Sequence, residues 1–202
     1  MREYKPRAIE SIAQRELLQF DSELVNGEPK VVPIEEMIEL HYGIILQYRN
    51  LSKKGHIHGI TVFEDSIIPI YDDANKRYEP IVVKAGTILI DKRLLASNKN
   101  NRLRFTLAHE LAHYILHSEY YLEVQELASK ISTESDFRTE KEADELGAAI
   151  LMPQGRLKVA IKRNVHQMER KELIYHLSHI FEVSTQAMEI RLKKLRLYME
   201  ER

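Results

Sequence analysis

The chain holds 202 residues, 44% of them hydrophobic and 30% charged, enough for the core of one domain or of one domain with a small appendage. Thirty basic side chains stand against 31 acidic ones, so no global charge draws the protein to nucleic acid or to a membrane surface. Cysteine is absent, which excludes disulfides and thiolate metal sites and leaves His, Asp and Glu as the side chains that could hold a metal.

The amino terminus, MREYKPRAIE, lacks the apolar core of a signal peptide, and nowhere do eighteen apolar residues run together. The expectation is a cytoplasmic protein with no membrane association. Residues 6–26 carry Ile9, Ile12, Ala13, Leu17, Leu18 and Phe20 at helical spacing. A second short helix fits PIEEMIELHYG, with Pro33 near its start and Gly43 as its stop. The segments IILQYRN, IHGITVFED and SIIPIYD are short, β-branched and separated by turn formers, and read as strands. GTILIDKRL reads as one more strand, just before a histidine-rich helix at 101–118. The stretch 119–137 is polar and mixed. Helices then follow at 138–151, 155–163, 168–181 and 184–195. This order predicts an α+β fold with segregated elements: a small mixed β-sheet packed on the histidine helix, then a helical carboxyl-terminal part. A division into 1–154 and 155–202 follows.

The histidine helix contains HELAH, residues 109–113. Positions four apart share a helix face, their β-carbons about 5–6 Å apart, so the imidazoles of His109 and His113 can converge on one ion. Glu110 lies about a quarter-turn away, where it can take a proton from water at the metal. Phe105, Leu107, Leu111, Ala112, Ile115 and Leu116 set this helix in a core, where imidazoles and a carboxylate need partners. An ordinary helix can also carry the pattern, its histidines merely hydrogen-bonded. His117 is excluded as a third ligand, because eight residues carry it about 12 Å along the axis. It reads as a capping or packing residue.

A catalytic zinc site takes three protein ligands and keeps a position open. The segment TEKEADELGAAILMP offers Glu140 and Asp144, four apart and on one face. Glu140 suits a ligand, and Asp144 suits the carboxylate that accepts a hydrogen bond from a ligand histidine's outer N–H. Glu142 points to another side and is the second candidate ligand. His56 and His58 of GHIHG could share one strand face, but no third ligand accompanies them, and they read as a surface or sheet-edge pair.

GTILIDKRLLASNKNNRLRFTLAHELAHYILH followed by EKEADELGAAILMP resembles the ImmA/IrrE metallopeptidases, over most of the chain. The resemblance implies a zincin-like fold of the gluzincin type. It implies Zn2+ held by His109, His113 and Glu140, with Glu110 as general base. It further implies a protein substrate, a helix-turn-helix transcriptional repressor. Leu146 and Gly147 stand where that family usually has Phe-Ala, an apolar-for-apolar and small-for-small change.

ELIYHLSHIFEVSTQAMEIRLKKLRL looks like a helix-turn-helix, turning at Glu182–Ser184, with Arg191, Lys193, Lys194 and Arg196 on the second helix. Residues 155–202 hold eleven Lys/Arg against six Glu, a local net of +5. The alternative function is that of a non-catalytic DNA- or partner-binding regulator with a structural metal. The turn lacks the usual glycine, however, and the basic side chains are spread round the helix, so a solvated face is the simpler reading. Tyr175, His176 and His179, together with His166, are candidates for stabilising an oxyanion.

Overall fold

A computed structural model describes residues 3–96, 98, 100–125, 133–164 and 168–197. The chain forms two compact units. One comprises Ile34–Gly147, and the other joins Tyr4–Pro33 to the chain from Ala148 onward. Compactness thus groups the first helices with the closing ones, whereas the division expected at 154/155 follows the order of motifs along the chain.

Helix α1 spans Pro6–Phe20 and buries Ile9, Ala13 and Leu17. The single helix expected over 6–26 is broken at Asp21, whose Oδ1 accepts a hydrogen bond from the Glu23 N–H (2.9 Å) and starts the short α2, Glu23–Asn26. Such Asx turns compete with helix continuation.

The larger unit opens with α3, Ile34–Glu36, which runs into a π-helical turn over Met37–His41. Gly43 follows at φ +66°, the left-handed conformation that lets the chain leave a helix. The strands are β1 Ile45–Arg49, β2 Gly59–Val62, β3 Ser66–Asp72, β4 Arg77–Val83 and β5 Thr87–Asp91. They form a three-stranded sheet in the order β1-β5-β2 and a β3–β4 hairpin. β1 runs parallel to β5 and β2 antiparallel to it, so the sheet is mixed, as expected.

The fully buried β5 is the central strand. Leu51, Val62, Val83 and Leu89 make one core cluster, with Ile60, Ile68 and Ile81 packed against it. Strand β4 was not among the expected strands, and it contains Pro80, which cannot donate to a ladder. The proline is tolerated in a two-stranded hairpin, where Pro80 faces Pro69 and each strand keeps a free edge.

A 3-10 turn over Lys92–Leu95 leads to α4, Asn100–Gln125, which packs on β2 and β5. Helix α5 spans Thr133–Leu151, and its last turn belongs to the second unit. Both helices run further into the stretch 119–137 than its composition suggested. That stretch is polar but contains neither Gly nor Pro to stop them.

In the second unit α6 (Gln154–Asn164), α7 (Arg170–Ile180) and α8 (Thr185–Lys194) follow. Leu157, Leu173, Leu177, Phe181, Met188 and Leu192 are buried there. Ser184 caps α8 by accepting from the Ala187 N–H, and Glu182 takes the left-handed position (φ +47°) in the turn where glycine is usual. Arg191, read as part of a basic face, is instead 4% exposed. It donates to both carboxylate oxygens of Glu10 (2.5 and 2.9 Å) and to the Met152 carbonyl. Among the described residues no helix is long and apolar enough to cross a membrane.

Candidate metal centre

The site lies in the larger unit, where α5 crosses the histidine face of α4. Contact at Gly147 permits the approach: a β-carbon there would stand 3.1–3.2 Å from the backbone of Ala108 and His109, tighter than ordinary packing. A small residue is therefore required at this position, and Leu146 beside it is fully buried.

Two turns N-terminal to this contact, Glu140 reaches both imidazoles. Its Oε2 lies 3.2 Å from His109 Nε2 and its Oε1 3.3 Å from His113 Nε2, while the two Nε2 atoms are 3.0 Å apart. The three donor atoms all fall within 4.8 Å of one another, the one such group of three or more His, Asp or Glu side chains among the described residues. Two neutral imidazole nitrogens and one carboxylate form a donor set that fits a divalent ion and leaves coordination free for water and substrate.

The electrostatics of the ion-free chain point the same way. Burial opposes protonation of His109, but its bonds to Asp144 and Glu140 outweigh burial and push its pKa up to about 10. The bonds from His109 and His113 hold the Glu140 carboxyl well below its usual range. A cation bound here would replace protons as the positive charge facing Glu140.

Each imidazole is also held from its far side. Asp144 Oδ1 lies 2.9 Å from His109 Nδ1. His117 Nδ1 lies 3.3 Å from His113 Nδ1, and His117 Nε2 lies 3.0 Å from Glu142 Oε2. Burial lowers the pKa of His117 despite that carboxylate. His117 is not a helix cap, because α4 continues for two more turns, and Glu142 is not in the ligand group because His117 takes its carboxylate.

Glu110 is 7% exposed beside this cluster. Burial raises its pKa, against the opposing pull of Thr61 and the two imidazoles. The Thr61 hydroxyl lies 2.7 Å from Glu110 Oε2 and 2.9 Å from its backbone oxygen. Gly59, two residues earlier on the same face of β2, leaves room for the carboxylate: a β-carbon there would stand 2.6 Å from Glu110 Cγ.

His109, Glu110, His113 and Glu140 share a cleft of about 460 Å3 with β2 and Tyr121. Tyr121 stacks on Phe63, ring centroids 4.8 Å apart. Sequence reading missed Thr61, Gly59 and Tyr121. Only Tyr121 left a local signal, since it continues the four-residue column of His109, His113 and His117 on α4.

The other candidates lie elsewhere in the chain. Tyr175 and His179 meet as tilted rings on α7 of the second unit, centroids 4.2 Å apart, with Tyr175 60% exposed. His176 shares that helix, and His166 lies outside the described residues. His56 and His58 precede β2 in a non-strand segment and form no ligand group.

A small mixed sheet on a helix carrying two histidines and a glutamate, with a carboxylate brought in from a second helix, is the arrangement of a metallopeptidase. The family model of the IrrE N-terminal-like domain, peptidase family M78, matches residues 57–193, and the chain belongs to that family. No curated protein matches it at a significant level.

Proposed function

We propose that this protein is a zinc-dependent endopeptidase of the cytoplasm. In this reading His109, His113 and Glu140 are the metal ligands, Glu110 is the general base and Asp144 orients His109. The observation that carries it is the convergence of three donor atoms within 4.8 Å, beside a buried glutamate, in a member of a metallopeptidase family. Zinc is favoured because two imidazoles and one carboxylate with an open position are a donor set of catalytic zinc sites. Held there, it would supply Lewis acidity, polarising a carbonyl and making water acidic enough to ionise near neutral pH.

The protein's own groups do the rest. Thr61 donates to Glu110 Oε2 and so leaves Oε1 to take a proton from the attacking water and return it to the departing amine. A buried carboxyl with a raised pKa suits both directions of that transfer. Ile60 and Val62 turn their backbone groups to β5, so Gly59 and Thr61 present theirs to the outer edge of the sheet. An extended substrate segment can add to that edge and cross the cleft above Glu110.

The substrate class, a helix-turn-helix repressor, follows from the family resemblance. The alternative, a DNA-binding regulator that does no chemistry, loses support from Arg191, which is spent on Glu10 and Met152. The test is incubation of the zinc-loaded protein with candidate repressors, wild type beside Glu110→Gln. Cleavage by the wild type that falls by 10²–10⁴-fold in the variant, with zinc retained, supports the reading. Repressor inactivation that persists undiminished in Glu110→Gln contradicts it.

A further inference from the structure

The two histidines of the cluster are supported in different ways. His109 faces a carboxylate directly, and that carboxylate, Asp144, has a side chain 57% exposed. His113 faces another imidazole, His117, which is backed by Glu142, and the side chains of this second pair are only 1% and 6% exposed. Nothing in the proposed chemistry uses His117 or Glu142, yet both are buried polar groups directed at one of the proposed ligands.

Proton bookkeeping fixes what the chain of three groups can be. A histidine that offers Nε2 to a metal carries its single proton on Nδ1. The Nδ1 of His113 therefore donates, and its partner His117 Nδ1 must accept. His117 in turn carries its proton on Nε2, where Glu142 Oε2 accepts it at 3.0 Å. The reverse arrangement would put two donors or two acceptors face to face at one of the contacts.

We propose that His117 and Glu142 are positioning residues that lock His113 into the tautomer and ring orientation needed to bind the metal. The inference rests on the metallopeptidase reading and deepens it. Burial suits the role, since a dry hydrogen-bonded pair has no water to compete for the His113 proton. Supporting groups of this kind typically change metal affinity by about 10–100-fold.

The test is zinc affinity by chelator competition in the full-length protein, together with 15N NMR of the histidine rings in the zinc-loaded wild type. His117→Phe combined with Glu142→Leu removes both members of the chain of bonds together. It is expected to weaken zinc binding by about 10–100-fold. His117→Gln keeps an acceptor for His113 and a donor for Glu142, and is expected to recover most of that loss. In the wild type, NMR is expected to find His113 protonated on Nδ1 and His117 on Nε2, a result that does not depend on any variant folding. Wild type binding one zinc while the double variant binds equally tightly, or His117 carrying its proton on Nδ1, overturns this inference and leaves the peptidase reading standing. A wild type that binds no zinc overturns both.

Discussion

His109 and Asp144, 35 positions apart in the chain, meet through a contact of 2.9 Å between Nδ1 and Oδ1. The contact orients the imidazole so that its Nε2 faces Glu140 and the Nε2 of His113. Replacing Asp144 by Ala removes the acceptor and frees the ring to turn. Zinc affinity should fall about 10–100-fold, measured by competition with a chelator. Asp144→Asn keeps an oxygen acceptor and should fall less.

In the proposed mechanism Thr61 tunes Glu110 as the base. Its hydroxyl donates to the Glu110 carboxylate and lowers a pKa that burial raises. Thr61→Val keeps the shape and removes the donor, so the Glu110 pKa should rise further. A general base works only when deprotonated, so the acid limb of the kcat/KM profile should move to higher pH. Zinc content should be unchanged.

A substitution at Gly59 would separate positioning of the proposed base from binding of the proposed metal. The β-carbon of Gly59→Ala would stand 2.6 Å from Glu110 Cγ, and the glutamate side chain is the group able to move away. Displacing a catalytic group by about 1 Å can cost on the order of 10²-fold in rate. The variant should keep its fold and its zinc while losing at least about tenfold in peptidase activity.

Away from the site, Asp91 ties the end of β5 to the turn that leads into α4. It is 1% exposed, and its carboxylate accepts from the Arg93 backbone N–H (2.9 Å) and from the guanidinium (2.6 and 2.8 Å). Burial alone would raise its pKa, but these bonds outweigh burial and lower it below the ordinary 3.8. A carboxylate whose pKa is depressed by folding stabilises above its unfolded value, and that stability is lost as pH falls through the folded one. Asp91→Ala should therefore be less stable by about 2–3 kcal/mol at neutral pH, the scale of charged hydrogen bonds. The difference from wild type should shrink in acid, below about pH 4, as followed by urea denaturation.

What the sequence made legible was whatever a helix repeats locally. A spacing of four puts His109 with His113 and Glu140 with Asp144 on single faces, and the structure brings all four together. Thr61 was invisible because it reaches Glu110 from a strand 49 positions away, and a lone threonine in a strand carries no signal of its partner. The spacing of His117 was plain, but its role depends on how α5 docks, which Gly147 sets through a close backbone contact. Strand β4 went unread; its Pro80, like Pro69 opposite it, sits in a two-stranded hairpin that accommodates proline. Arg191 looked like surface charge because its partner Glu10 lies 181 positions earlier.

The most direct test of the proposed centre is metal content per chain in protein purified without chelators, wild type beside Glu140→Ala. About one zinc per wild-type chain is expected, with a large loss in the variant and the fold retained. No metal in either, even after zinc is added to the folded protein, would contradict it. Equal metal in both would show that Glu140 is not a ligand.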